Sequence, residues 1–141
     1  MERTPTAPEL ADLVQAVARR LRHHTLELGG PLPPHQGRAL RVICSGEGLR
    51  PARLAERLHI APRSLTDVLD ALEEAGLIRR SPDPLDRRAQ ILTATADGRA
   101  MQQRLEEVRD RAAEEVFASL LPDERDRLGG LLRRVAGPRA G

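Results

Sequence analysis

Arg63, Ser64, Thr66 and Asp67 crowd the start of one amphipathic segment, and Asp86, Arg87 and Arg88 follow in a proline-bounded loop. An arginine fork can hold a guanine edge or a phosphate, and serine and threonine hydroxyls can reach either. Asp67 lies four residues after Arg63. It can orient that guanidinium or accept from a cytosine amino group. Arg88 at a loop tip suits insertion into a minor groove, where narrow A·T tracts concentrate negative potential. Asp86, two residues earlier, can hold the Arg88 guanidinium by a charge-assisted hydrogen bond. Arg87, with Arg79 or Arg80, can add phosphate contacts. The seven residues proposed to touch duplex DNA are therefore Arg63, Ser64, Thr66, Asp67, Asp86, Arg87 and Arg88.

Two short helices meeting at a tight turn must position the first group. Pro51 suits the first position of a helix that buries Leu54, Ala55 and Leu58. His59-Ile60 makes the turn. Pro62 opens the next helix, which runs to Ala75 on a stripe of Leu65, Val68, Leu69 and Leu72 and stops at Gly76. That stripe leaves Asp70 facing outward with the four candidate contacts. Strands are predicted over Leu77 to Arg80 and Ala89 to Thr95, joined by Ser81 to Arg88 as a loop stiffened by two prolines. In a helix-turn-helix the second helix enters the major groove by its N-terminal turn, so this order sets a helix start and a basic loop to work together.

The flanking elements are helical. Leu10, Leu13, Val14, Val17, Leu21 and Leu28 predict a first helix over about residues 7 to 28, ended by Gly29-Gly30-Pro31. A second helix near 35 to 45 carries Ala39, Leu40, Val42 and Ile43 and breaks at Gly46-Glu47-Gly48. Thr95 can cap a long fifth helix with Asp97 in its first turn. Its stripe is Met101, Leu105, Val108, Ala112, Val116 and Leu120. A sixth helix from Pro122 carries Leu128, Leu131, Leu132 and Val135. The fold class is mainly α with a small β wing (α+β), one structural domain by length. Residues 1–34 form an N-terminal dimerisation helix and loop, 35–98 a winged helix-turn-helix DNA-binding lobe, and 99–141 the C-terminal dimerisation helices.

Composition narrows the function. All 23 basic side chains are arginine, yet the net charge is only +2, so bulk electrostatics cannot carry nucleic-acid binding and local arginines must. The aromatic fraction of 1% counts against a stacking platform for single strands. A single cysteine, Cys44, excludes an intramolecular disulfide framework. No apolar run approaches a membrane span, and the N-terminus lacks a signal peptide's apolar core, which points to the cytoplasm.

The first, fifth and sixth helices carry apolar stripes with no evident partner in the chain. A helix of about 22 residues spans roughly 33 Å, more than a small winged lobe covers. Burial between two copies about a twofold axis is the expected solution, through the N- and C-terminal helices. Gly129-Gly130 fits either a close helix approach or a tolerated weak spot.

The whole chain resembles the MarR family of bacterial transcriptional regulators. The resemblance rests on Leu54-Ala55-Glu56-Arg57-Leu58, on Ala61-Pro62-Arg63-Ser64-Leu65-Thr66 through Leu72-Glu73 and Gly76-Leu77-Ile78, and on Asp86-x-Arg88 followed by Thr95-x-x-Gly98. It implies a winged helix-turn-helix homodimer that binds near-palindromic operators, usually as a repressor released by a small ligand or oxidant. The family's wing Asp and Arg fall on Asp86 and Arg88, and its recognition-helix contacts on Arg63, Ser64, Thr66 and Asp67. A pocket for an apolar or phenolic ligand, between the dimer helices and the DNA-binding lobe, is implied by the resemblance alone. Three departures stand out: His59 where Gly is usual in the turn, Ala61 for the usual Ser cap, and Ala94 for a common Leu in the wing strand.

Other chemistry is weakly represented. Cys44 on an apolar helix side reads as packing rather than as a redox sensor, which needs exposure and a lowered pKa. The first-helix cysteine and partnering tyrosines of the family's peroxide sensors find no match. His23, His24, His35, Cys44 and Glu27 lack metal-ligand spacing, so no metal or other cofactor is expected. No nucleophile elbow or phosphate loop supports an enzyme. The alternative function is a helical protein–protein adaptor that does not bind DNA, which differs by its indifference to promoter fragments.

Overall fold

A computed structural model describes residues 3–138 of the chain. Its elements are α1 (Ala7–Glu27), α2 (Pro34–Ser45), α3 (Pro51–Leu58), α4 (Pro62–Glu74), β1 (Ile78–Pro82), β2 (Gln90–Ala94), α5 (Ala96–Val116) and α6 (Pro122–Ala136). The chain divides into two compact units, residues 29–108 and residues 1–28 with 109–141, the boundary falling within α5. No helix among the described residues is long and apolar enough to cross a membrane.

The first of these units is the winged helix-turn-helix lobe. Leu40 and Ile43 of α2, Leu54 of α3, Leu72 of α4 and Leu92 of β2 are wholly buried and form one core with Ala39, Leu65, Leu69 and Leu77. These are the stripes that helical spacing predicts, now facing one another. Met101 and Leu105, in the first half of α5, pack against the same core, so the apolar stripe of this helix, expected to lack a partner in the chain, has one here.

Two turns aim α4. Between α3 and α4, His59 takes the left-handed conformation (φ 53°, ψ 43°), and the Ile60 N–H returns to the Ala55 carbonyl at 3.2 Å. Histidine therefore performs the reversal usually given to glycine, at a modest steric cost. At the far end of α4, Gly76 (φ 73°) makes the same reversal, with the Leu77 N–H donating to the Leu72 carbonyl at 2.9 Å. Ala61 begins α4 without any side-chain cap.

β1 and β2 pair antiparallel, with Ile78 opposite Ala94 and Pro82 opposite Gln90. The strands differ from those expected: Leu77 lies outside β1, Ser81 and Pro82, assigned to the loop, continue it, and Ala89 and Thr95 lie outside β2. Asp83 N–H donates to the Ala89 carbonyl at 2.9 Å, making that pair hydrogen-bonded. By alternation the Pro82 nitrogen faces away from β2, where a missing N–H costs the ladder nothing. On the other side of β2, Leu49 exchanges two backbone hydrogen bonds with Leu92, at 2.8 and 3.3 Å.

Thr95 caps α5 as expected, its hydroxyl accepting from the Gly98 N–H at 3.0 Å and donating to the Gly76 carbonyl at 2.6 Å. The helix ends at Val116, however, so Leu120 is not part of its stripe. Pro122 at the start of α6 forces Leu121 into an extended conformation (φ −68°, ψ 159°), and a turn in which Leu120 N–H donates to the Phe117 carbonyl at 3.1 Å leads into it.

In the other unit, α1 begins with a capping box between Thr6 and Glu9. His24 of α1 meets Glu115 of α5 at 3.2 Å, and Arg125 of α6 meets Glu114 at 3.0 Å. Ala112 and Val116 are buried. Neither α1 nor α6 has a buried residue. Leu10, Leu13 and Val14 of α1 and Leu131, Leu132 and Val135 of α6 stand exposed.

Candidate nucleic-acid interface

Arg63, Ser64, Thr66 and Asp67 occupy the first two turns of α4 and are all exposed, while Leu65 and Leu69 between and after them are buried. The core stripe thus turns these four side chains to solvent. Arg63 and Asp67 form no ion pair with each other, so Asp67 does not orient the guanidinium. The Thr66 hydroxyl donates to the Pro62 carbonyl at 3.2 Å, which leaves its oxygen as an acceptor. Asp70, the next outward residue, is committed elsewhere: it takes a 2.6 Å hydrogen bond from Arg80 of β1.

That contact separates two arginines that sequence reasoning left equivalent. Arg80 also approaches Glu73 at 4.0 Å, and its backbone N–H donates to the Glu73 carboxylate at 3.2 Å. It braces the wing strand against α4. Arg79 is exposed and, among the described residues, its guanidinium has no partner. Arg79 is the member of the pair available to a phosphate.

Residues 83–89 form the wing loop, and its arginines are presented by backbone geometry. Asp86, Arg87 and Arg88 are all exposed. The Asp86 carboxylate accepts from the Arg88 backbone N–H at 3.1 Å, not from its guanidinium. The Asp86 carbonyl accepts from Ala89 N–H at 2.9 Å. An aspartate that bonds the backbone two residues on makes an Asx turn. Asp86 therefore shapes the loop tip and leaves the Arg88 fork open. Among the described residues, the guanidinium groups of Arg63, Arg87 and Arg88 have no partner.

Sequence reasoning missed Asp83. It is the one buried charged residue among those described, with a fractional exposure of 7%. Its Oδ1 accepts from the Leu85 N–H at 2.9 Å, and its Oδ2 accepts from Nε and Nη2 of Arg50 at 3.0 and 2.6 Å. The Leu85 N–H first, and then Arg50, hold the Asp83 carboxyl below the usual carboxylate range. Its only sequence signal is its place between Pro82 and Pro84, where a turn-forming side chain is expected.

A groove of about 300 Å³ opens between α2 and the start of α4, lined by His35, Arg38, Leu58, Ile60, Ser64 and Val68. Cys44 is half-buried near the Gly98 carbonyl. Burial pushes its thiol above the usual range despite nearby Arg99, opposite to what a reactive thiolate requires.

The chain is similar in sequence and in structure to known proteins. A model of the MarR family matches residues 32–89, the span from the start of α2 through the wing loop. The HTH-type transcriptional repressor Rv2887 of Mycobacterium tuberculosis is 35% identical over 88 residues, covering 62% of this chain and 63% of that repressor. Wild-type apo MarR from E. coli superposes with a TM-score of 0.85 at 25% identity, over 97% of this chain and 100% of that one. A cysteine-to-serine mutant of E. coli MarR complexed with operator DNA superposes with a TM-score of 0.67 at 26% identity, over 91% and 94% of the two chains. The family-model match, the related repressors and the structural neighbours together show that the chain belongs to the MarR family of winged helix-turn-helix transcriptional regulators.

Proposed function

We propose that this chain binds a near-palindromic operator as a homodimer and represses transcription from it. The first turns of α4 enter the major groove, where Arg63, Ser64, Thr66 and Asp67 meet base edges and phosphates. The wing lies along the neighbouring minor groove, where Arg88 inserts and Arg87 and Arg79 neutralise phosphates. The carrying observation is the set of exposed arginine forks without protein partners, on a helix start and a loop tip whose own backbones are tightly bonded. The E. coli MarR complex with operator DNA supports the same target here.

Residues 1–34 and 99–141 join two copies through the exposed apolar faces of α1 and α6. A cytoplasmic location follows from an operator as target. Release is by a small apolar or phenolic ligand, a reading supported by the family resemblance alone. The test is mobility shift and footprinting on the promoters of the chain's own and neighbouring genes. Specific protection of two half-sites about one helical turn apart is expected. A footprint on one isolated half-site removes the dimer model, and absence of binding even at low salt favours a protein–protein adaptor.

A further inference from the structure

The wing loop is held at its root by a single long-range ion pair. Arg50 is the residue before α3, and it reaches 33 positions along the chain to Asp83, the first residue of the loop. Both of its hydrogen bonds end on one carboxylate oxygen, Oδ2, while Oδ1 takes the Leu85 N–H. From there the bonds run on through the loop. The Asp83 carbonyl accepts from Asp86 N–H at 3.2 Å, and Asp86 accepts from Arg88 N–H at 3.1 Å. Adjacent Leu49 fixes the middle of β2, so residues 49 and 50 together hold the sheet at its centre and at its loop end.

Resting on the operator-binding reading above, we infer that Arg50 and Asp83 are positioning residues for DNA binding: without touching DNA, they set where Arg88 stands relative to the recognition helix. Three observations support a positioning role. Asp83 is buried at a loop whose other members are mostly exposed. A buried carboxylate is kept only where its partners are in place. The Arg50 stem starts from the N-cap of α3, at the edge of the helix-turn-helix, so the contact transmits the lobe's geometry to the wing rather than bracing the wing against itself. Arg80 with Asp70 and Glu73 braces the strand; Arg50 with Asp83 braces the loop.

The experiment is a double-mutant cycle on operator affinity, measured by fluorescence anisotropy with the full chain and its promoter fragment. It uses Asp83→Asn and Arg50→Gln, each with and without Arg88→Ala, with thermal melts alongside. Asp83→Asn keeps an acceptor for Leu85 N–H, and Arg50 is half exposed, so both variants are expected to fold. In the wild-type background Arg88→Ala weakens binding about tenfold or more. In either positioning variant the same substitution costs less than about threefold, because the displaced loop no longer delivers Arg88. An undiminished effect of Arg88→Ala in both folded variants overturns the inference while leaving operator binding by the wing intact. An Arg88→Ala effect missing already in the wild type overturns the wing reading itself, and the inference with it.

Discussion

A Cβ placed on Gly98 would lie 1.9 Å from the carbonyl oxygen of Leu77. No real side chain survives that approach, so helix α5 can leave the sheet at this angle only with glycine there. The Leu77 carbonyl also accepts from Thr95 N–H at 3.1 Å, so neither partner is free to retreat. The joint links the end of α4, the start of β1 and the start of α5. Gly98→Ala is expected to cost about 3 kcal/mol or more, as a backbone overlap in a packed site. Gly76→Ala, in open space but at a positive φ, is expected to cost only about 1 kcal/mol. Chemical denaturation of both variants checks the ranking; equal losses would show that the joint yields.

Arg88→Ala is expected to weaken operator binding by roughly 1–3 kcal/mol and leave the melting temperature and the subunit mass unchanged. The guanidinium has no protein partner to lose. Anisotropy and sedimentation on one preparation separate the two effects.

Acid should erase the contribution of Asp83. Its carboxyl is held below the usual range in the fold, by the Leu85 N–H and by Arg50. Such a group adds stability above its unfolded pKa, about 3.9 for aspartate, and loses it as pH falls through the lower folded value. Wild type should therefore be more stable than Asp83→Asn at neutral pH, with the gap closing only in strong acid. A gap that is constant across the titration would assign the effect to shape rather than charge.

Cys44 should react slowly with alkylating reagents at neutral pH in the folded protein, and peroxide should leave operator binding unchanged. Its thiol is half-buried and pushed upward by that burial. Rapid labelling, followed by mass spectrometry, would contradict the packing role.

Val14→Glu in α1 and Leu132→Glu in α6 should each shift the subunit mass toward a monomer and weaken operator binding. Both residues are exposed apolar side chains, 56% and 43% accessible in the single chain. Light scattering at micromolar concentration reads the outcome, and an unaltered mass in both would move the dimer interface elsewhere.

Periodicity made most of this fold legible. Leu54, Leu58, Leu65, Leu69 and Leu72 appear in the sequence at the spacing that buries them, and His59, Gly76 and Thr95 mark ends that the backbone confirms. What escaped were competitions between neighbours. The apolar spacing of α5 runs on to Leu120, but the helix ends at Val116 and the chain turns through Phe117 to Leu120 before Pro122 opens α6. Pro82 reads as a breaker until its outward-facing nitrogen is seen. For the interface, exposed residues of α4 follow from its buried face. The roles of Asp86 and Arg80 do not, because each depended on a partner that spacing alone leaves open. Asp83 and Arg50 lie 33 positions apart, and no local pattern joins them.

The outward side of β1 has a consequence for how the protein behaves in a crowded cell. Its lone unpaired edge would invite a strand from another molecule. Arg80 N–H is already taken by the Glu73 carboxylate, and Pro82 has no N–H to offer. A regulator that must keep a short hairpin protruding thus carries, on that hairpin's border, a built-in guard against sticking to its neighbours.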